Sequence, residues 1–148
     1  MGLKIGFIQL NPKFGEVEDN VDRAVAFIEG VDADLLVLPE LFNTGYLFVD
    51  RWEARELAEE IPSGYTTQKL IKVAKKTRTF IVAGIAELSQ SKVYNSAIIV
   101  GPNGFIGKYR KAHLFYREKE VFAPGDTGFQ VFDIGLAKIG VIICFDWC

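Results

Sequence analysis

Asp34-Leu35-Leu36-Val37-Leu38-Pro39 holds an unbroken apolar run, Leu35 to Leu38, closed by a proline. A strand with one wet face alternates apolar and polar residues, so a continuous run of this length suits a parallel strand covered on both faces. Pro39 then ends it, because proline restricts the residue before it and has no N–H for a ladder. Upstream, Leu3 to Leu10 is a second short apolar run, with Ile5, Phe7 and Ile8, and it stops at Asn11-Pro12. Between the two runs Val21, Ala24, Val25 and Ile28 recur at helical spacing, with Asp19 or Asn20 as the candidate cap and Gly30 near the end. A strand, helix, strand unit with a parallel sheet is the simplest account.

Downstream of Pro39 the pattern changes. Two helical stretches are expected between Asp50 and Arg78, separated by Pro62-Ser63-Gly64; the second carries Leu70, Ile71, Val73 and Ala74 opposite a solvated face of Lys69, Lys72, Lys75 and Lys76. Phe80 to Ala86 and Val93 to Val100 read as consecutive strands, and Pro102-Asn103-Gly104 turns the chain into a third over Phe105 to Tyr109. Arg110 to Gly128 reads as a long loop, followed by strands at Gln130 to Asp133 and at Lys138 to Ile143, the latter buried. The expected class is α/β with an α+β-like mixed sheet. With several strands and few helices, one sheet face is expected to lack its cover.

The 148 residues, 49% hydrophobic and 24% charged, make one folded domain rather than a disordered segment. A net charge of -2 gives no reason to expect binding to nucleic acid. No apolar run approaches the roughly 18 to 20 residues of a membrane span, and the first residues do not look like a signal peptide. No membrane association is expected. Cys144 and Cys148 are the only cysteines and His113 the only histidine, which suits a reducing, cytoplasmic setting and argues against both a disulfide framework and a metal site. No G-x-G-x-x-G or P-loop pattern follows the first strand, so a flavodoxin-like or nucleotide-binding module is disfavoured.

Three residues stand where chemistry could occur. Cys144 follows an apolar strand directly, a place where a turn can lift a nucleophile out of a sheet and aim backbone N–H groups at a substrate. Glu40 stands at the mouth of the Leu35 to Pro39 run, where a carboxylate can act as a base. Lys111 can supply fixed positive charge to a thiolate and an oxyanion. Each has an ordinary alternative when taken singly: a small buried hydrophobe, a solvated carboxylate, a surface lysine.

Their contexts occur in a specific order: Leu38-Pro39-Glu40-Leu41-Phe42, then Tyr109-Arg110-Lys111-Ala112-His113-Leu114, then Ile143-Cys144-Phe145-Asp146-Trp147. With Gly6-Phe7-Ile8-Gln9, Tyr94-Asn95-Ser96-Ala97 and Pro124-Gly125-Asp126, the set covers nearly the whole chain and resembles the nitrilase, or carbon-nitrogen hydrolase, family. The resemblance implies a catalytic triad of Glu40, Lys111 and Cys144, with Glu118, in Arg117-Glu118-Lys119-Glu120, orienting the substrate. It also implies half of a four-layer α-β-β-α sandwich about twice as long as this chain. Residues 1–148 would then be its amino-terminal part, ending just after the nucleophile strand. Cys148 stands where the family often continues Phe-Pro-Glu.

The function so implied is hydrolysis of a non-peptide carbon-nitrogen bond in a small amide or carbamoyl substrate through a thioester, with no cofactor. Two competing expectations remain. In a Cys-His hydrolase His113 would be the base for Cys144. In a catalytically incomplete half-domain the chain would fold or work only with a complementary chain or as a homo-oligomer.

Overall fold

The computed structural model describes residues 2–148. Strand β1 (Ile5–Phe7), helix α1 (Val17–Glu29) and strand β2 (Leu35–Val37) form the expected unit, with β1 and β2 parallel and Gly6 opposite Leu36. Helices α2 (Arg51–Leu57) and α3 (Tyr65–Thr77) precede the long strands β3 (Phe80–Ser89) and β4 (Lys92–Gly101), and the turn at 102–103 leads into β5 (Gly104–Arg110). The five strands lie in sequence order in one sheet. β2 pairs with β3 in parallel, whereas β3, β4 and β5 are antiparallel neighbours.

One face of this sheet is closed by α1 and α3. Val21, Ala24 and Ile28 meet Leu70, Val73 and Ala74 over Leu36, Ile81, Ala83 and Ile98, all buried. The lysines of α3 stay outside, and two of them reach across to α1, Lys69 to Asp22 at 3.1 Å and Lys76 to Glu29 at 2.8 Å. Such exposed pairs contribute at most about 1 kcal/mol each.

Three expectations need correction. The cap of α1 is not Asp19 or Asn20, because the helix starts at Val17, with Glu16 at its N-cap. Asn20 instead turns inward: it accepts from the Lys13 N–H at 2.8 Å and donates to the Lys13 and Asn43 carbonyls at 2.7 and 2.9 Å, tying two loops together. The segment from Arg110 to Gly128 is not all loop, since Glu118–Val121 forms a short helix, α4.

The third correction is Lys138 to Ile143, which is not a buried strand of the main sheet. Only Lys138–Gly140 is extended, as β7, and it pairs with β6 (Val131–Asp133) in a separate two-stranded ribbon. Beyond it the Ile143 N–H is taken by the Asp146 carboxylate at 3.0 Å, not by a ladder carbonyl. Ile134 and Ile143, with Phe132 and Ile139, pack on the second face of the sheet against Leu35, Val82, Ala97 and Tyr109. That cover stops short of the β1 edge, where Ile5 (63% exposed), Phe7 (75%) and Val37 (38%) face outward. Leu35–Val37 is therefore covered on both faces only in part. Among the described residues no helix is long and apolar enough to cross a membrane.

Candidate active site

Strands β2, β3 and β5 run the same way, and β4 runs back between β3 and β5. The exits of β2 and β5 and the entry of β4 therefore share one edge of the sheet. Glu40 follows β2, Lys111 follows β5, and Asn95 is near the start of β4, so residues far apart in sequence meet there.

Lys111 is the hub. Its side chain is fully buried, and Nζ donates to Glu40 Oε1 at 2.8 Å and to Glu118 Oε1 at 2.9 Å. Burial disfavours the ammonium, but the bonds to Glu118 and Glu40 more than offset it and hold the Lys111 pKa above its ordinary value. Asn95 Nδ2 also donates to Glu40 Oε1, at 2.7 Å, and reaches Glu118 Oε1 at 3.5 Å. Glu118 is pinned further by the Tyr46 hydroxyl at 2.9 Å and by the Phe115 N–H on Oε2 at 2.6 Å. Both bonds to Glu40 fall on Oε1, which leaves Oε2 as its open oxygen.

Two close approaches seat this hub. A Cβ on Gly84 of β3 would lie 2.6 Å from Glu40 Cα and 2.7 Å from the Pro39 carbonyl, so only glycine lets the Glu40 segment rest on the sheet. Leu41, next in the chain, has φ of 50°, a left-handed backbone held by its buried side chain and by that of Phe42. Gly125 plays the same part for Lys111, because a Cβ there would overlap the Arg110 carbonyl.

Cys144 opens a 3-10 turn, Cys144–Trp147, with φ of 46°, and its side chain is exposed. Asp146 anchors that turn. Its buried carboxylate accepts from the Tyr109 hydroxyl at 2.7 Å, the His113 N–H at 2.8 Å and the Ile143 N–H at 3.0 Å, with His113 Nδ1 at 3.1 Å. Burial raises the Asp146 pKa, yet these donors leave it below the ordinary carboxylate value. His113 is thus committed to Asp146, with its ring half in solvent.

The groups that act on the Cys144 thiol are Glu40, Lys111 and Glu118. Burial raises its pKa first, Glu40 adds to that, Lys111 lowers it, and Glu118 raises it again, for a net value above the ordinary one. The lowering by Lys111 is thus in the expected direction, and burial together with the two carboxylates beside Lys111 outweighs it. The Tyr46 hydroxyl is likewise raised, by burial and then by its bond to Glu118. Beside Glu118 lies a cavity of about 220 Å³ walled by Tyr46, Phe48, Phe115, Tyr116 and Phe122. Among the described residues no group of three or more His, Cys, Asp or Glu is placed to hold a metal ion.

Carbon-nitrogen hydrolase is the family model that matches, over residues 4–148. This chain belongs to the carbon-nitrogen hydrolase family. It is 53% identical over 148 residues to a nitrilase of Pyrococcus abyssi, covering 98% of this chain and 56% of that one. It is 38% identical over 142 residues to omega-amidase NIT2 of Homo sapiens, covering 86% and 50%. Among solved structures, Nit3 of Saccharomyces cerevisiae, described as a member of branch 10 of the nitrilase superfamily, superposes with a TM-score of 0.84 at 32% identity over 97% of this chain and 56% of that one. XC1258 of Xanthomonas campestris, a CN-hydrolase superfamily protein, superposes at 0.86 with 25% identity over 97% and 54%. The chain spans about half the length of the relatives it matches, and the mixed α/β sheet is that of the family.

The fold brings Glu40, Lys111 and Glu118 into direct contact and sets Cys144 in their field. Tyr46 and Asn95 escaped the sequence reading as site residues. Asn95 was visible only as part of Tyr94-Asn95-Ser96-Ala97, and its signal was a polar side chain inside an otherwise buried strand.

Proposed function

We propose that the chain carries the catalytic centre of a hydrolase for a non-peptide carbon-nitrogen bond in a small amide or carbamoyl substrate, with Glu40, Lys111 and Cys144 as triad and Glu118 orienting the substrate. The observation that carries this is the hub at Lys111, where two carboxylates and a buried ammonium converge beside the Cys144 turn.

The resting thiol keeps its proton at neutral pH, because its pKa is raised. Attack of Sγ on the substrate carbonyl is therefore coupled to transfer of that proton to the open Oε2 of Glu40. Lys111 spends two of its three N–H donors on Glu40 and Glu118, and the third, with the Phe145 N–H beside the sulfur, stabilises the oxyanion. Glu40 then gives its proton to the departing nitrogen, the C–N bond breaks, and ammonia or an amine leaves a thioester on Cys144. Water, losing a proton to Glu40, attacks the thioester; collapse returns the proton to sulfur and releases the acid. No step calls for a cofactor.

The test is ammonia release from a panel of short amides, carbamoyl amines and nitriles, with the Cys144 peptide inspected by mass spectrometry for the acyl adduct. Glu40→Gln is expected to lower kcat by roughly 10² to 10⁴-fold. Full turnover in Glu40→Gln would sink the assignment. Loss of activity in His113→Asn combined with retention in Lys111→Ala would favour the Cys-His alternative. The omega-amidase and (R)-stereoselective amidase names among the relatives support amides, and the Pyrococcus relative puts nitriles on the panel.

A second reading has its own observation. The bare patch of Ile5, Phe7 and Val37 suits a half-domain that completes its core with a complementary chain or with another copy of itself. Two free cysteines favour a reducing, cytoplasmic setting for either form.

A further inference from the structure

Arg110 and Lys111 are neighbours at the exit of β5, so their side chains leave toward opposite faces and whatever fixes one aims the other. Arg110 is held on every side. Its Nε and Nη2 donate to the two oxygens of buried Glu87 at 2.9 and 2.5 Å, and Nη1 donates to both oxygens of Asp126 at 2.9 and 3.2 Å. The guanidinium also lies 3.9 Å over the Tyr94 ring. Glu87 takes further bonds from Ser96 at 2.6 Å and from Lys108, so two cations, Lys108 and Arg110, are balanced by two carboxylates. The backbone is gripped as well. The Lys111 N–H donates to the Asn95 carbonyl at 2.8 Å, the Gly125 N–H to the Lys111 carbonyl at 2.9 Å, and the Arg110 N–H to Thr127 Oγ1 at 3.0 Å.

We infer that the Glu87–Arg110–Asp126 clamp, closed by the segment 123–127, sets where the Lys111 ammonium sits between Glu40 and Glu118, with Asp126 as a positioning residue. This rests on the proposed role of Lys111. Asp126 is 61% exposed, and an exposed ion pair adds little stability of its own. Its two-pronged contact with a guanidinium already held by both oxygens of Glu87 also acts through geometry: it docks Gly125 and Thr127 on the Arg110-Lys111 backbone. A shift of the order of 1 Å in a catalytic group is enough to cost activity heavily.

The readout is the Cys144 thiol, which is faced by Glu40 after β2, Tyr46 in the following loop, Lys111 after β5 and Glu118 on α4, while Asp146 in its own turn is engaged by Tyr109 and His113. Iodoacetamide alkylation of Cys144 against pH, with Cys148 as internal control, is measured on the purified chain and on Lys111→Ala, Asp126→Asn, Asp126→Glu and Thr127→Val. Lys69→Ala, in a surface pair on α3, serves as the remote control. Lys111→Ala and Asp126→Asn are both expected to move the Cys144 curve to higher pH, and at pH 8 Asp126→Asn should react roughly threefold more slowly. Removing a carboxylate charge acts on the thiol in the opposite sense, so an upward move reports displacement of Lys111 and not the lost charge. Thr127→Val, which changes no charge, is expected to move the curve the same way, and Asp126→Glu and Lys69→Ala to leave it in place. A Cys144 curve that shifts in Lys111→Ala but stays put in Asp126→Asn and Thr127→Val overturns the clamp alone. A curve that stays put in Lys111→Ala as well overturns the role of Lys111, and the inference with it.

Discussion

A single buried ammonium decides how the site is charged. Lys111 has a carboxylate on two sides, Glu40 and Glu118, and the Cys144 pKa is held above its ordinary value by burial first and then by Glu40, against the lowering by Lys111. Asn95 shares with Lys111 the task of holding Glu40 Oε1. Asn95→Leu keeps approximate size and removes the donor, and steady-state assays should show kcat lower by roughly ten- to a hundredfold with KM little changed. Such a residue is hard to find by sequence, because Asn95 acts on Glu40 across 55 positions and on Glu118 across 23. Glu40, Lys111 and Cys144 could be singled out as candidates because each sits in a distinctive local string at the end of a predicted strand. Their mutual contacts were not, since a string carries no distances.

At the scale of elements, the site depends on where strands end. The exits of β2 and β5 place Glu40 and Lys111, and the exit of β2 is seated on Gly84 of β3. Gly84→Ala puts a Cβ against backbone atoms that cannot rotate away, so urea unfolding should show a loss of about 1–3 kcal/mol, together with loss of activity as Glu40 is pushed off the sheet. The strands themselves were readable from hydrophobic runs and turns, because continuous runs and Pro-Asn-Gly punctuation are local signals. The end of β7 was not. Ala137 to Ile143 is apolar enough for a longer buried strand, but a carboxylate six positions beyond Gly140, at Asp146, captures the Ile143 N–H and turns the chain. The start of α1 was misplaced for a similar reason, as Asn20 satisfies distant loop groups in preference to the helix end.

For the molecule as a whole, two buried carboxylates tie stability to pH. Burial raises the pKa of both, but Glu87 is drawn below its ordinary value by Arg110, Lys108 and Ser96, and Asp146 by Tyr109, Ile143 and His113. A carboxyl whose folded pKa is depressed adds stability that is complete above its unfolded value, about 4, and is lost as pH falls through the folded value. The urea midpoint should therefore hold steady from neutral pH down to about 5 and fall below about 4, less steeply in Asp146→Asn than in the parent. The bare apolar patch at Ile5, Phe7 and Val37 predicts association that grows with concentration. Size-exclusion chromatography with light scattering should show it, and Phe7→Ser should shift the population toward the monomer.

The change from parallel to antiparallel pairing at β3 also has a consequence in time. β3, β4 and β5 are joined by turns of two residues, so they can zip together early from neighbouring stretches of chain. β1 and β2 dock on β3 only after α1, α2 and α3 are threaded between them, which closes much longer loops. On that order Lys111 is expected in the part of the sheet that forms first and Glu40 in the part that arrives last, which pulsed amide exchange during refolding would check. Their ion pair, 71 positions apart in the chain, is a natural clock for the final docking step.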